Sequence, residues 1–135
     1  MGRPLLILLD THVVVWLVSG DSRLSKQAQT TIHQARENSR GLAISDFTLF
    51  ELSQLYQKKR IALTISPEDF LYQLERLFVI LPITANIALQ AYALPASYPK
   101  DPADRLIGAT ALIEDLPLVT ADTAIRKSKA VPTIW

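Results

Sequence analysis

The sequence predicts an α/β protein built on a parallel sheet, and three observations carry that prediction. The wholly apolar run Leu5 to Leu9 stops on Asp10. Five consecutive branched side chains before a polar turn suit a strand covered on both faces, as in the middle of a parallel sheet. The pattern returns near the end, where Pro117-Leu118-Val119-Thr120 runs into Ala121-Asp122. Between them, short apolar runs alternate with stretches whose apolar residues recur at helical spacing.

Each element has its own local reason. After the first strand, Thr11 to Ser19 carries a continuous apolar face and stops at Ser19-Gly20-Asp21, a helix followed by a turn. A second helix covers Ser25 to Asn38; only Ala28, Ile32 and Ala35 form an apolar stripe, so it lies on the surface. Gly41 restarts the chain, Leu42 to Ile44 forms the second strand, and Ser45-Asp46 opens a helix running to about Arg60. Ser66-Pro67-Glu68-Asp69 is a strong helix start, with a Ser cap, a first-turn proline and two acids; this helix reaches Leu77. Phe78 to Leu81 is the third strand, closed by Pro82, and Thr84 to Leu94 is an alanine-rich helix followed by a loop from Pro95 to Pro99. Pro102 opens the next helix, whose apolar body is Leu106 to Leu116. Pro117 to Thr120 is the fourth strand, Thr123 to Lys129 a short helix, and Val131 to Trp135 a last edge strand.

A chain of 135 residues, 49% hydrophobic and 20% charged, fits a single domain over residues 1–135. Cysteine is absent, which excludes disulfides, thiolate metal sites and a cysteine nucleophile; any metal must be held by oxygen or histidine. The net charge of +1 creates no strong overall field, so a polyanion site has to be local. Arg3 before an apolar run has the outline of a signal peptide, but Asp10 cuts the run and no small-residue cleavage pattern follows. The stretch is therefore expected to be mature structure, the protein cytoplasmic, and no segment to span a membrane.

Four carboxylates stand out. Asp10 either caps the helix after it or is a functional acid at a strand's carboxyl end, where α/β sheets bind ligands. Glu51 falls among Phe47, Phe50 and Leu55 on an apolar helix face, where a carboxylate needs a cation, a proton or a place at the stripe's edge. Asp101 is the expected cap of the helix opened by Pro102, with Arg105 four residues on as a pairing partner. Asp104 has less to do structurally. It shares a face with Ile107, Gly108 and Ala111, whose small members let the helix press against the sheet. Asp122 repeats the choice posed by Asp10. Like charges gathered at one edge of the sheet would raise one another's pKa unless a cation compensates. Hard oxygen ligands suit Mg²⁺ or Mn²⁺ and phosphoryl-transfer chemistry. Thr11 and Thr120, beside two of the acids, are placed to orient ligands or waters.

The ordered set of segments resembles the PIN domain family, and most closely its VapC-like branch, the toxins of bacterial and archaeal toxin–antitoxin pairs. The segments are Leu8-Leu9-Asp10-Thr11-His12-Val13 with Trp16-Leu17, then Ser45 through Leu52, then Asp101 through Ile107, then Pro117 through Asp122, and finally Ile134-Trp135. The resemblance implies a three-layer α/β/α sandwich around a central parallel sheet of four to five strands. It further implies an acidic pocket that binds Mg²⁺ or Mn²⁺ and cleaves single-stranded RNA, with metal ligation on Asp10 and Asp104. Glu51 and Asp122 would complete the pocket or activate water. Ser45, Asp101 and Arg105 fall beside these positions, and the cations Lys100, Arg105, Arg126 and Lys127 near the rim are candidates for RNA phosphates. Thr48, Phe50, Pro99 and Lys129 stand where this branch often has Ser, Trp, His and Tyr, and none of these departures removes an acid. The implied partners are an RNA substrate, a VapB-like antitoxin and a second copy of the chain. The other readings are a PIN-like binding module without turnover, a PIN-type nuclease outside a toxin–antitoxin pair, or another phosphate-ester hydrolase. An aspartyl-phosphate phosphatase is disfavoured because His12 stands two residues after Asp10, where such enzymes use a second Asp.

Overall fold

The computed structural model describes residues 6–37, 41–61 and 63–135. Its strands are β1 (Leu6–Leu9), β2 (Gly41–Ser45), β3 (Val79–Leu81), β4 (Leu118–Val119) and β5 (Thr133–Ile134). The helices are α1 (Thr11–Ser19), α2 (Lys26–Glu37), α3 (Asp46–Gln57), α4 (Pro67–Leu77), α5 (Ala85–Ala93), α6 (Pro102–Ile113) and α7 (Thr123–Ser128). Leu5 and Asn38, which the sequence adds to the first strand and second helix, lie outside the described residues.

All five strands pair in parallel, in the order β3-β2-β1-β4-β5. The apolar run therefore does occupy the middle of the sheet. Its alternate side chains feed two separate cores: Ile7 and Leu9 pack with Val13, Ile32, Ile44, Leu52 and Leu74. Leu8 faces the other way, toward Tyr98, Ile107, Ala111, Leu118 and Ile125. Leu8 and Leu9 are both fully buried, and burial of such a side chain is worth about 1.5–3 kcal/mol.

The chirality of crossovers explains the layers. From β1 to β2 to β3 the chain steps one way across the sheet, and α1–α4 contribute to the core that contains Ile7 and Leu9. From β3 it returns past β1 to β4 and β5, and Leu94 after α5, α6 and α7 contribute to the opposite core. Right-handed connections running in opposite directions must cover opposite faces. The strand order reverses between β1 and β4, which opens a crevice at their carboxyl ends.

Helix α6 ends at Ile113 rather than Leu116 and β5 spans only Thr133–Ile134 of the predicted Val131 to Trp135, and three further details differ from the sequence reading. Helix α3 stops at Gln57 rather than near Arg60, because Lys59 turns left-handed (φ 58°). There the amide of Lys59 donates to the carbonyl of Tyr56 and the amide of Arg60 to that of Leu55, which closes the helix end. Gly108 presses on Tyr98, not on the sheet: a Cβ there would lie 2.2 Å from the Tyr98 hydroxyl oxygen. Arg105 does not pair with Asp101. Its guanidinium donates to the carbonyls of Ala91 and Leu94, tying α6 to the end of α5.

Candidate active site

Asp10 follows β1 directly and stands over the crevice as the N-cap of α1. Both of its oxygens are engaged: Oδ1 accepts from the Thr11 amide at 2.8 Å and Oδ2 from the Thr120 hydroxyl at 2.7 Å. Capping and fixing of the carboxylate are thus one arrangement, since the bond that caps also helps hold it still. Thr120, fully buried after β4, accepts in turn from the Asp122 amide at 3.1 Å. Asp122 caps α7 by accepting from the Ile125 amide at 2.9 Å. One threonine so links the acids at the ends of the two adjacent strands.

The facing wall comes from α3 and α6. Glu51 is half-buried and accepts the hydroxyl proton of Thr11 at 2.5 Å. That proton is committed, so in the 3.1 Å contact between the Thr11 and Thr48 hydroxyls Thr48 must be the donor. Asp101 caps α6 by accepting from the Asp104 amide at 3.1 Å. Asp104 itself points free, with no hydrogen bond to its carboxyl among the described residues. Its backbone carbonyl is gripped by the buried Tyr98 hydroxyl at 2.7 Å.

The acids share a cavity of about 670 Å³ lined by Asp10, Glu51, Asp101, Asp104 and Asp122, with Thr11, His12, Trp16, Arg23 and Ala121. Among the described residues Arg23 is its one lysine or arginine, and it is already occupied: it pairs with Asp21 at 2.7 Å and lies 5.1 Å over the Trp16 ring. Among the described residues no other ion pair forms. The charges therefore press on one another. Burial raises the pKa of Asp10, opposed by its bonds from Thr120 and Thr11. Burial raises that of Glu51, opposed by the Thr11 bond and reinforced by Asp10 and Asp101. Asp104 is pushed up to about 7, first by burial and then by Asp10, Asp101, Asp122 and Glu51. Burial also drives the Tyr98 phenol upward, so it stays a neutral donor.

Of the other residues marked in the sequence, Ser45 is fully buried and caps α3 by accepting from the Phe47 amide at 3.1 Å. Lys100, Arg126 and Lys127 are exposed and do not line the cavity. Sequence reasoning passed over Thr48, His12, Trp16 and Arg23 as lining or supporting groups, and Tyr98 as the support of Asp104. A signal for Tyr98 existed: a tyrosine between prolines in a short loop, ten residues before a glycine inside an apolar helix.

A profile for the PIN domain matches residues 7–130. The chain belongs to the PIN domain family. Ribonuclease VapC22 of Mycobacterium tuberculosis is 40% identical over 131 residues, which cover 96% of this chain and 98% of that protein. Among solved structures, a toxin–antitoxin complex from Klebsiella pneumoniae aligns with a TM-score of 0.66 at 28% identity, covering 93% of this chain and 94% of that one. DNA-bound VapBC from Salmonella typhimurium shares the fold, with a TM-score of 0.70 at 19% identity over 97% of both chains.

Whether this PIN domain can hold a divalent cation turns on its donors. Among the described residues no three acidic or histidine side chains stand close enough to grip an ion between them. Mg²⁺ does not require that: it keeps several waters and binds through one or two carboxylates together with substrate phosphates. The donors in this cavity are hard oxygens without sulfur, and the pressure on Asp104 is the kind a cation relieves. The residues fit such an ion as a partial, hydrated site. No described helix is long and apolar enough to cross a membrane.

Proposed function

We propose that this PIN domain is a VapC-like toxin, an Mg²⁺- or Mn²⁺-dependent endoribonuclease of single-stranded RNA held inactive by a cognate antitoxin. The observation that carries the reading is the gathering of Asp10, Glu51, Asp104 and Asp122 on one cavity, in a chain 40% identical to a ribonuclease along nearly its whole length.

Asp10 and Asp104 would hold the cation, with Asp122 beside them and Glu51 across the cavity. When bound, the ion polarises the scissile phosphate and makes water a nucleophile near neutral pH. Asp10 contributes rigidity: with both oxygens hydrogen-bonded, it does not have to reorganise when charge develops. Thr120 orients it, as outer-shell partners of ligands do. Glu51, aimed by Thr11, is the group we assign to take a proton from the attacking water. Tyr98 fixes the backbone at Asp104, so that this acid enters at a set height above the sheet.

The antitoxin partner draws support from the Klebsiella complex, and a homodimer from large apolar side chains left in solvent. Tyr92 is 92% exposed, Leu89 70% and Phe50 55%, apolar side chains that a second copy of the chain would cover. The reading is tested by expressing the chain alone and sequencing the RNA ends it generates. Discrete new ends that vanish with Asp10→Asn are expected; the same ends from both proteins would defeat the assignment.

A further inference from the structure

An acidic cavity that works on a polyanion has to be balanced by cations close by, and the one arginine that lines it among the described residues is tied to Asp21 and Trp16. A second cavity of about 130 Å³ adjoins it, sharing Thr11, His12 and Glu51. Its remaining lining includes Gln54, Lys58 and Arg60. This annex is where positive charge meets the catalytic wall. Lys58 and Arg60 are both exposed, and among the described residues neither forms an ion pair.

The local backbone separates the members of the basic triplet. Lys58 caps α3, Lys59 takes the left-handed conformation, and the Arg60 amide returns to the Leu55 carbonyl. That reversal brings Arg60 back beside Lys58 and Glu51, whereas Lys59 lines a different cavity with Tyr56, Gln57, Ile61, Leu63 and Pro67. A helix end that only needed a favourable charge for its dipole would not require this division.

We propose that the annex receives a backbone phosphate of the RNA strand next to the one being cleaved, held by Lys58 and Arg60, and thereby sets the strand's path into the acidic cavity. The proposal rests on the ribonuclease reading. Single-stranded RNA is the occupant the chemistry favours, because a strand seated on the acids must continue across a neighbouring surface. The surface joined to them through Glu51 and His12 is cationic.

The test compares Lys58→Ala, Arg60→Ala and Lys59→Gly, each removing one charge from adjacent positions. The probe is a fluorescently labelled single-stranded RNA of about 12 nucleotides in metal-free buffer, with affinity read against salt. Lys58→Ala and Arg60→Ala should each weaken binding roughly tenfold and reduce the salt slope by about 0.7. In cleavage assays with Mg²⁺ the loss should fall on KM rather than kcat. Lys59→Gly should bind within about twofold of wild type, since its charge lies off the path. Equal losses from all three variants would mean a diffuse field and overturn the proposal, as would no loss from any. So would unchanged RNA binding with weakened binding of an acidic antitoxin segment. These results, obtained with a wild type that still cleaves RNA, leave the ribonuclease reading standing. A wild type that neither binds nor cleaves RNA removes both.

Discussion

The two walls of the acidic cavity are built on opposite terms. On the strand side, Asp10 and Asp122 cap helices, a backbone amide donates to each carboxylate, and the buried Thr120 hydroxyl donates to the Asp10 carboxylate while accepting from the Asp122 amide. On the helix side Asp101 caps α6 in the same way, but Asp104 makes no such bond among the described residues, and its pKa climbs to about 7. Glu51 stands between, held by one hydroxyl. The fold thus supplies anchored carboxylates on one side and, on the other, an acid whose charged form is opposed by burial and by its neighbours. On the proposed reading, the anchored wall would fix where a cation sits and the unsatisfied one would supply the pull.

The largest effect comes from breaking the anchored wall. Asp10→Asn should lower RNA cleavage by more than about 100-fold, while thermal unfolding shows a fold that is intact or slightly more stable through relief of repulsion. Next, Thr120→Val removes the donor to Asp10 Oδ2 and should cost about 10- to 100-fold in activity or metal affinity, read from initial rates across an Mg²⁺ titration. It should also destabilise by about 1–3 kcal/mol, because a buried carboxylate oxygen loses its partner.

Support of the other wall is probed through Tyr98. Gly108→Ala forces a methyl against the Tyr98 hydroxyl, at an overpacking cost of about 1–3 kcal/mol, and should shift the metal titration by moving the Asp104 backbone. That contact shows where sequence reading stopped. The strands were legible because their apolar runs are short and end on polar residues, and the central place of the first run followed from its lack of alternation. The order of acids was legible because each falls near a strand's carboxyl end or within a helix's first two turns. The contact of Tyr98 with Gly108 was not, since it joins a loop to a helix interior through tertiary packing that periodicity does not encode. Arg105 misled for a related reason: four-residue spacing suggested Asp101, while the carbonyls at the end of α5 offered buried acceptors. The basic end of α3 reads in sequence as one solvated triplet, and only the left-handed turn at Lys59 divides it between two cavities.

A smaller effect concerns pH. Asp104 has a folded pKa of about 7 against an ordinary value of 3.8. The folded state therefore holds an extra proton between these values, and its contribution to stability is full at low pH and lost as pH rises through about 7. Metal-free protein should accordingly melt at a lower temperature at pH 8 than at pH 5.5, by an amount that Asp104→Asn reduces. Added Mg²⁺ should raise the melting temperature more at the higher pH. Smallest of all, Lys59→Gly should stabilise the end of α3 by up to about 1 kcal/mol in chemical unfolding, because glycine adopts the left-handed turn without strain.

The most direct test is cleavage of a labelled single-stranded RNA by the purified protein, freed of any antitoxin, with Mg²⁺ and with chelator, for wild type and Asp104→Asn. The anchored and unanchored walls acting together predict cleavage by wild type with Mg²⁺ alone, and none by the folded variant under either condition. Cleavage by Asp104→Asn at the wild-type rate, or by wild type undiminished in chelator, would contradict a site completed by a cation.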